Sequence, residues 1–129
     1  MQLSIWTDPP KMAIGAPQPI VVAEDGVVWV SYRTQRDDHF SVLRFDGVRQ
    51  LTFGEPSDER LDEHQLWGNG LNCYSFHEGT DPELERAKLR HWVITFHDDT
   101  LDVTARAAEV VARAVQATDS ASALAMTRA

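Results

Sequence analysis

Residues 91–106 read HWVITFHDDTLDVTAR, and this stretch indicates a β-hairpin. Apolar and polar residues alternate on both sides of His97, Asp98 and Asp99, which is the pattern of two strands that each bury one face. If Asp98 and Asp99 form the turn, the apolar side chains of both strands fall on one face, and a shift of one residue would scatter them. The predicted pairs are Phe96 with Leu101, Ile94 with Val103 and Trp92 with Ala105.

Two more hairpins are indicated nearer the N-terminus. The runs PIVVAEDGVVWVSYRT (19–34) and FSVLRFDGVRQLTF (40–53) each contain an Asp-Gly pair. A type I′ hairpin turn favours this dipeptide because both of its central positions need a positive φ. The sequence therefore predicts a four-stranded meander over residues 20–53. Its turns are Asp25-Gly26 and Asp46-Gly47, and its pairs are Val21 with Val30, Ala23 with Val28, Phe45 with Val48, Val42 with Leu51 and Phe40 with Phe53.

One pair in this meander is unfavourable. The predicted second hairpin sets Arg44 opposite Arg49, and like charges directly opposite each other on one face of a sheet are destabilising.

Helices are predicted in three places. TDPELERAKLR (80–90) has Thr80 or Asp81 as N-cap, Pro82 in its first turn and basic residues toward its C-terminus. ARAAEVVARAVQA (105–117) is rich in alanine, the best helix former, and predicts a longer helix. Residues 54–72 lack periodicity and indicate at most a short helix capped by Ser57.

Together these elements predict an α+β fold. We expect a curved antiparallel sheet of about six strands, formed by the meander and the C-terminal hairpin, with two or three helices packed on it. A chain of 129 residues is expected to form a single globular domain. That domain is predicted over residues 1–118, with a frayed tail at 119–129.

Composition narrows the classes of partner. Acidic residues outnumber basic ones by 20 to 12, which gives a formal net charge of −8. Because this charge repels phosphate and no cluster of Lys and Arg occurs, nucleic acid and membrane are not expected as partners. The N-terminus shows neither a basic leader nor a long apolar run, and the single cysteine cannot form an internal disulfide. We expect a cytoplasmic protein.

The chain contains the motifs VLRFDG (42–47), TFGEPSDE (52–59), HQLWGNGLNCYSF (64–76) and HWVITFHDDTLDV (91–103). These motifs resemble a family of small bacterial proteins that has no established activity. The resemblance covers residues 20–105 and is most specific in TFHDDT (95–100). The family more often has Ser where this chain has Asp99, and Asn where it has Ser57. The resemblance implies a shared fold and leaves the function open.

His97 is the strongest candidate for proton chemistry. A neighbouring carboxylate stabilises the imidazolium and can prepare a histidine to act as general base near neutral pH. Asp98 or Asp102 is the expected orienting partner. The alternative is a plain polar turn, since aspartate suits tight turns. Asp-Asp is nevertheless a poorer turn dipeptide than the Asp-Gly that this chain uses elsewhere.

The segment 64–77 is the second candidate. It combines histidines, aromatic residues and glycines without strand or helix periodicity, as functional loops often do. Its expected ligand-binding residues are His64, Trp67, Tyr74 and His77. The alternative is a structural crossover in which Trp67, Leu71 and Tyr74 close the open end of the sheet.

No metal or cofactor is expected. The five histidines show no HxH or HExxH spacing, and strand geometry keeps His91 and His97 too far apart to share an ion. Cys73 has no basic neighbour in the sequence that would activate its thiol, so a buried structural role is expected.

These candidates support three functional hypotheses. The first is a small domain that binds a small ligand in a pocket lined by residues 64–77 and the His97 turn. The second is an enzyme that uses His97 with a neighbouring Asp as general acid or base. The third is an acidic accessory or inhibitor protein that binds a basic partner protein. The oligomeric state stays open.

Overall fold

The computed structural model describes residues 1–15 and 18–129. Within these residues the chain forms nine strands, a short 3₁₀ helix and two α-helices. In chain order they are β1 (Gln2–Ile5), β2 (Ile20–Glu24), β3 (Val27–Arg33), β4 (His39–Asp46), β5 (Gln50–Gly54), the 3₁₀ helix (Asp58–Glu63), β6 (Phe76–Thr80), α1 (Pro82–Arg86), β7 (Arg90–Thr95), β8 (Thr100–Ala105), β9 (Ala107–Gln116) and α2 (Ser120–Arg128).

The strands form two antiparallel sheets. The first sheet has the order β1-β6-β7-β8-β5, and the second has the order β2-β3-β4-β9. The predicted α+β class with antiparallel pairing is therefore confirmed. The strands are more numerous than the six expected, and they are divided between two sheets instead of forming one curved sheet.

The hairpin at Asp25-Gly26 has the predicted register. Val21 lies opposite Val30, and Ala23 lies opposite Val28. Both turn residues have positive φ, 52° at Asp25 and 75° at Gly26, as a type I′ turn requires. A purely local signal was enough to specify this pair of strands.

The second Asp-Gly pair does not form a hairpin, which corrects the predicted meander. β4 pairs with β3 and β9, whereas β5 pairs with β8 in the other sheet. One electrostatic advantage of this pairing is at Arg44. In a hairpin it would face Arg49, but here it lies opposite Trp29 on one side and Glu109 on the other. Its guanidinium also contacts Asp46 at 2.9 Å.

The chain passes between the sheets twice at one corner, at Gly47 and at Arg106. The Arg106 N–H donates to the Asp46 carbonyl at 3.0 Å, and the Arg49 N–H donates to the Thr104 carbonyl at 2.8 Å. A Cβ built on Gly47 would lie 2.8 Å from the Cγ and Cδ of Arg106. The corner thus needs glycine both for its φ of 64° and for the space that a side chain would occupy.

A glycine-to-alanine pair tests this corner. Gly26→Ala should cost about 1 kcal/mol, because it forces a left-handed conformation on alanine in open space. Gly47→Ala has the same backbone cost and also displaces Arg106, so we expect it to cost about 1 kcal/mol more. Urea unfolding of both variants measures the difference. Equal losses of stability would contradict a crowded corner.

Residues 107–116 form strand β9, so the predicted alanine-rich helix is wrong. β9 pairs along β4, with Val110 opposite Leu43 and Ala108 opposite Phe45. The edge of β4 is left open because β5 moves to the other sheet, and its backbone groups need partners. Valines suit a strand, and tertiary pairing outweighs the weak intrinsic preference of alanine for a helix.

The C-terminal segment is helical instead of frayed. Asp119 caps α2 by accepting a hydrogen bond from the Ser122 N–H at 2.7 Å. Ala123 and Leu124 are buried, and the Ser31 hydroxyl donates to the Ser120 carbonyl at 2.8 Å. α2 therefore packs on the second sheet. In α1 the cap is Asp81, one of the two predicted residues, which accepts from the Leu84 N–H at 2.8 Å.

The hairpin of residues 91–106 has the predicted faces with a different register. Trp92 pairs with Val103 and Ile94 with Leu101, two residues away from the expected pairs. The connection is four residues long, and it is closed by a hydrogen bond from the Phe96 N–H to the Asp99 carbonyl at 2.8 Å. Because the shift is an even number, every apolar side chain keeps its face.

The main core draws on both sheets. Phe45 of β4 contacts Trp92 of β7 with ring centroids 5.6 Å apart, and Trp6 lies 6.1 Å from Phe45 and 6.2 Å from Trp92. A smaller core on the outer face of the first sheet packs the 3₁₀ helix and the loop after it against β7. Its buried residues are Leu3, Leu61, Leu71 and Val93. None of the helices in the described parts of the chain is long and apolar enough to span a membrane.

Candidate functional sites

Tyr74 brings the segment 64–77 to the His97 turn, as predicted. The Tyr74 Oη lies 3.1 Å from the His97 Nδ1, and the same hydroxyl donates a hydrogen bond to Asp58. The His97 Nδ1 lies 3.0 Å from the Asp58 Oδ2. Asp58, at the start of the 3₁₀ helix, is held there because its N–H donates to the His97 carbonyl at 3.0 Å. We call Asp58, Tyr74 and His97 the surface triad.

The partner of His97 is therefore neither of the expected aspartates. The Asp98 carboxylate lies 3.8 Å from the His97 Nε2, beyond hydrogen-bond distance. Asp102 lies in a different place and contacts His64 and His91. Asp58 is 39 residues from His97 in the chain, and no sequence pattern joins the two.

The surface triad determines which nitrogen of His97 carries the proton. The Tyr74 hydroxyl proton is used on Asp58, and the Asp58 carboxylate can only accept. The His97 Nδ1 faces these two acceptors, so it must be the N–H nitrogen. In neutral His97 the Nε2 lone pair is then free, which is the arrangement of a histidine oriented by a carboxylate.

The hydrogen bond from Tyr74 changes the acidity of both partners. It holds the pKa of Asp58 below its usual range, and the contacts with His97 act in the same direction. The Asp58 carboxylate, with some burial of the phenol, raises the pKa of Tyr74 to about 12. Both shifts keep the proton on Tyr74 and the negative charge on Asp58 at neutral pH.

An Asp58→Asn variant tests this assignment. In the variant an uncharged amide oxygen replaces the carboxylate, so the neutral phenol is favoured less strongly and the pKa of Tyr74 should fall from about 12 toward its usual range. A spectrophotometric titration in a Tyr32→Phe background measures Tyr74 alone, since the chain has two tyrosines. Glu59→Gln, the adjacent exposed acid, is the control and should leave the titration unchanged. An unchanged Tyr74 titration in Asp58→Asn would contradict the contact.

The hollow at the His97 turn is very small, and no residue of the segment 64–77, which was predicted to share the pocket, lines it. His97, Asp98 and Asp99 line a hollow of about 10 Å³, which has room for about one water molecule. Asp99 is held in its wall by the Gln18 amide, which donates at 2.7 Å. Burial, with the nearby charge of Asp98, raises the pKa of Asp99. A ligand the size of a metabolite does not fit in this hollow.

The neighbouring apolar groove is much larger. It has a volume of about 340 Å³ and reaches the surface triad through Tyr74. We define the apolar groove by its lining residues, Ile5, Trp6, Thr7, Pro9, Lys11, Met12, Ile14, Gln35, Tyr74, Ser75 and Phe76. The sequence-based prediction placed Tyr74 in a binding pocket but missed the whole N-terminal wall, because residues 5–14 show no clear periodicity.

A third hollow lies on the outer face of the first sheet. We call it the polar cleft, and its volume is about 270 Å³. It contains two of the predicted site residues, His64 and Asp102, whereas Asp58, Tyr74 and His97 are not among its lining residues. The lining residues are Gln50, Thr52, Glu55, His64, Gln65, His91, Asp102 and Thr104.

Two imidazoles share the carboxylate of Asp102 in the polar cleft. The His91 Nε2 lies 2.9 Å from the Asp102 Oδ1, and the His64 Nε2 lies 3.0 Å from the Oδ2. The His64 Nδ1 accepts from the Leu66 N–H at 3.0 Å, so its proton is on Nε2. Burial raises the pKa of Asp102, but the hydrogen bonds from His91 and His64 outweigh burial and bring the pKa below its usual range.

The remaining predicted residues have other positions. His77 is fully buried: its Nδ1 donates to the Val93 carbonyl at 2.9 Å, and its Nε2 accepts from the Asn72 N–H at 2.9 Å. Burial lowers its pKa. Both ring nitrogens are used inside the fold, so His77 has no polar atom for a ligand. Trp67 is 52% exposed and does not close the sheet, and Cys73 is exposed instead of buried.

These contacts predict the neutral tautomer of four histidines. His77 and His97 should carry the proton on Nδ1, whereas His64 and His91 should carry it on Nε2. Long-range ¹H–¹⁵N correlation spectra at a pH where the rings are neutral distinguish the two tautomers. A proton on Nδ1 of neutral His64 would contradict the shared carboxylate. Nε2 would then have no proton to donate to Asp102, and the Nδ1–H would face the Leu66 N–H.

The fold and its hollows define a class of protein: a two-sheet α+β domain with an apolar groove, a surface triad and a polar cleft. In residues 1–15 and 18–129, no group of three or more His, Cys, Asp or Glu side chains is placed to hold a metal ion. Comparison of the chain with protein-family models, curated proteins and solved structures gives no match. The family resemblance of the sequence motifs therefore stays a prediction.

Proposed function

We propose that the protein binds a small, largely apolar molecule in the apolar groove. The observation that carries this proposal is a hollow of about 340 Å³ walled by Trp6, Met12, Tyr74 and Phe76. Small-molecule sites in proteins are concave, mostly apolar and of at least about 300 Å³, with a few polar groups that orient the ligand. The groove meets each of these conditions.

The walls of the groove are held in place before any ligand arrives. The Trp6 ring contacts three core aromatics, with centroid distances of 6.1 Å to Phe45, 6.4 Å to Phe76 and 6.2 Å to Trp92. The backbone N–H of Trp6 donates to the Phe76 carbonyl at 2.8 Å. A wall that is already ordered loses little conformational entropy when a ligand binds, which favours affinity.

Tyr74 connects the groove with the surface triad. Its φ of 49° is unusual for a residue with a bulky side chain, and such strained positions cluster at functional sites. Because its proton is used on Asp58, the phenol offers the ligand an aromatic face and an oxygen that accepts hydrogen bonds. Thr7, Ser75 and Gln35 supply the other neutral polar groups of the lining.

The test is binding of 8-anilinonaphthalene-1-sulfonate, a fluorophore with an apolar aromatic body and one sulfonate, by wild type and two matched variants. Ile14 lines the groove and is 67% exposed, so Ile14→Asp places a charge in the groove without disturbing the core. We expect it to weaken binding by about tenfold, which is about 1.4 kcal/mol. Met126 is 58% exposed on α2 and lines none of the three sites, so Met126→Asp is the control.

The affinities of the two variants decide between support for the proposal and its failure. Loss of affinity in Ile14→Asp with normal affinity in Met126→Asp supports the groove as the site. Equal affinity in wild type and Ile14→Asp overturns it. Native mass spectrometry of the purified protein adds the identity of any molecule that remains bound.

Catalysis at the surface triad is a second candidate function, favoured by the contact between His97 and Asp58. The His97 side chain is 44% exposed, and its Nε2 is free to take a proton from a substrate or water. A general base of this kind contributes about 10²- to 10⁴-fold in rate. For any substrate found by screening, His97→Ala should therefore lose at least about 10²-fold in kcat, and Asp98→Asn should retain activity. Full activity in His97→Ala removes this candidate.

A further inference from the structure

The polar cleft contains a hydrogen-bonded series that ends on a hydroxyl. The Thr104 Oγ1 lies 3.0 Å from the His91 Nδ1, and the His91 Nε2 lies 2.9 Å from the Asp102 Oδ1. All three residues line the same hollow of about 270 Å³. A hydroxyl, an imidazole and a carboxylate in this order are the parts of an activated nucleophile, which is recognised by geometry and not by its position in the chain.

The tautomer of His91 determines where the protons of this series lie. The Asp102 carboxylate only accepts, so the His91 proton is on Nε2 and its Nδ1 has a free lone pair. The Thr104 hydroxyl must then donate to Nδ1. This is the direction that a general base needs, because the hydroxyl proton already points at the atom that would remove it.

Strand pairing explains part of this arrangement but not all of it. His91 and Thr104 lie directly opposite each other in β7 and β8, so their contact alone would be an ordinary cross-strand pair. The carboxylate of Asp102, however, is kept inside the protein, with a side-chain exposure of 16%, and a second imidazole holds it. His64 comes from the segment after the 3₁₀ helix, and its side chain is only 6% exposed. A mostly buried carboxylate, held by a second imidazole at the wall of a cleft, can orient a catalytic histidine.

We propose that the polar cleft is an acyl-transfer site in which Thr104 is the nucleophile and His91 its general base. Asp102 and His64 are positioning residues. The substrate class is a small carboxylic ester without negative charge, because Glu55 and Asp102 line the cleft and, among the residues that the structure describes, no Lys or Arg does. This site is separate from the apolar groove and does not depend on the function proposed there.

The reaction has two balanced steps. The Thr104 Oγ1 bonds to the ester carbonyl carbon while its proton moves to the His91 Nδ1. The bond from that carbon to the leaving oxygen breaks, and the leaving alcohol takes the proton from His91. In the second step His91 takes a proton from water, and the water oxygen attacks the acyl carbon. The carboxylic acid leaves, and the proton returns from His91 to the Thr104 Oγ1. The side-chain amides of Gln50 and Gln65 line the cleft, and amides of this kind can donate to the oxyanion of the intermediate.

The experiment uses p-nitrophenyl acetate with the full chain at neutral pH. Release of p-nitrophenolate is followed together with the mass of acid-quenched protein, and peptide mapping locates any acetyl group. The comparison is between wild type, Thr104→Val, which has the same shape without the hydroxyl, and Thr104→Ser, which restores a hydroxyl. Cys73→Ser is the control, since Cys73 is an exposed thiol outside the cleft that can also be acetylated.

We expect wild type and Cys73→Ser to react alike, with acetyl on Thr104 in the quenched sample. Thr104→Val and His91→Gln should react at least about 10²-fold more slowly, whereas Thr104→Ser should recover most of the rate. Asp102→Asn should also slow acetylation, and its nitrogen correlation spectrum should show that the His91 proton has moved from Nε2. Circular dichroism confirms that each variant is folded.

Three results would overturn the proposal. They are a rate in Thr104→Val within about twofold of wild type, an acetyl group that maps to Cys73 or a lysine only, and a reaction of wild type no faster than buffer. A normal rate in Asp102→Asn with a shifted His91 tautomer would overturn the role of Asp102 as a positioning residue.

Discussion

Asp102→Ala is expected to lower the free energy of unfolding by about 3 kcal/mol. The Asp102 carboxylate accepts hydrogen bonds from His64 and His91, whose side chains are only 6% and 13% exposed. Without it, two imidazole N–H groups that are mostly buried lose their charged acceptor. Each buried donor left without a partner costs about 1–3 kcal/mol. Chemical denaturation monitored by tryptophan fluorescence measures the loss.

Asp98→Ala is the matched control for this prediction. Asp98 belongs to the same hairpin, but its side chain is 60% exposed and makes no hydrogen bond to His97. Its removal should change stability by less than about 0.5 kcal/mol. Similar values for Asp98→Ala and Asp102→Ala would show that the shared carboxylate contributes nothing special.

The same carboxylate gives stability a dependence on pH. The pKa of Asp102 is lower in the folded protein than in the unfolded chain, where a carboxyl titrates near about 3.9. Its contribution is therefore complete above that pH and is lost as the pH falls through the folded-state pKa. The stability difference between wild type and Asp102→Asn should shrink on acidification below about pH 4. A constant difference down to the acid transition would contradict the lowered pKa.

Phe45→Ala is expected to have a still larger effect, a loss of about 3–5 kcal/mol. Phe45 is fully buried and contacts both Trp6 and Trp92, so its ring joins the second sheet to the first. Truncation leaves a cavity between sheets whose strands are fixed on both sides by hydrogen-bonded neighbours, so the site cannot collapse to fill it. Differential scanning calorimetry and urea unfolding both measure this change.

Phe53→Ala is the matched control, because it removes the same side chain from the next strand. Phe53 is 37% exposed in β5, and we expect a loss of about 1 kcal/mol or less. A continuous hairpin at Asp46-Gly47 would have paired Phe53 with Phe40 on one face. Equal losses for Phe45→Ala and Phe53→Ala would contradict the passage of the chain between sheets at that point.

The candidate sites were predictable to very different degrees. Tyr74 and His97 were expected to meet, and their side chains are in contact. His64 and Asp102 were expected at the same site, but they lie with His91 in the polar cleft. Alternation along β8 shows that Asp102 and Thr104 share a face, so the sequence carried a signal for this cleft. Its missing member, His64, lies 38 residues away from Asp102, and no periodicity reaches that far.

The sequence by itself determined the features that depend on neighbouring residues. The turn at Asp25-Gly26 follows from the positive φ that both residues tolerate, and the cap at Asp81 from a side chain that reaches the start of its own helix. Alternation alone predicts which side chains of β7 and β8 share a face, and this prediction holds although the observed register differs from the predicted one by two residues. In each case the interaction that determines the local structure is made by residues only a few positions apart in the sequence.

Only the tertiary structure decided which strands pair and which polar groups meet. Asp46-Gly47 has the same local signal as Asp25-Gly26, yet the strand after it joins the other sheet, where β8 offers a partner free of the Arg44–Arg49 contact. Because β5 pairs in the other sheet, one edge of β4 is open, and residues 107–116 form the strand that pairs with it despite their alanine content. Backbone hydrogen bonds that must be satisfied across the whole fold outweigh local preferences of a fraction of a kcal/mol per residue. The surface triad and the polar cleft depend on this pairing, because it is what brings Asp58 to His97 and His64 to Asp102.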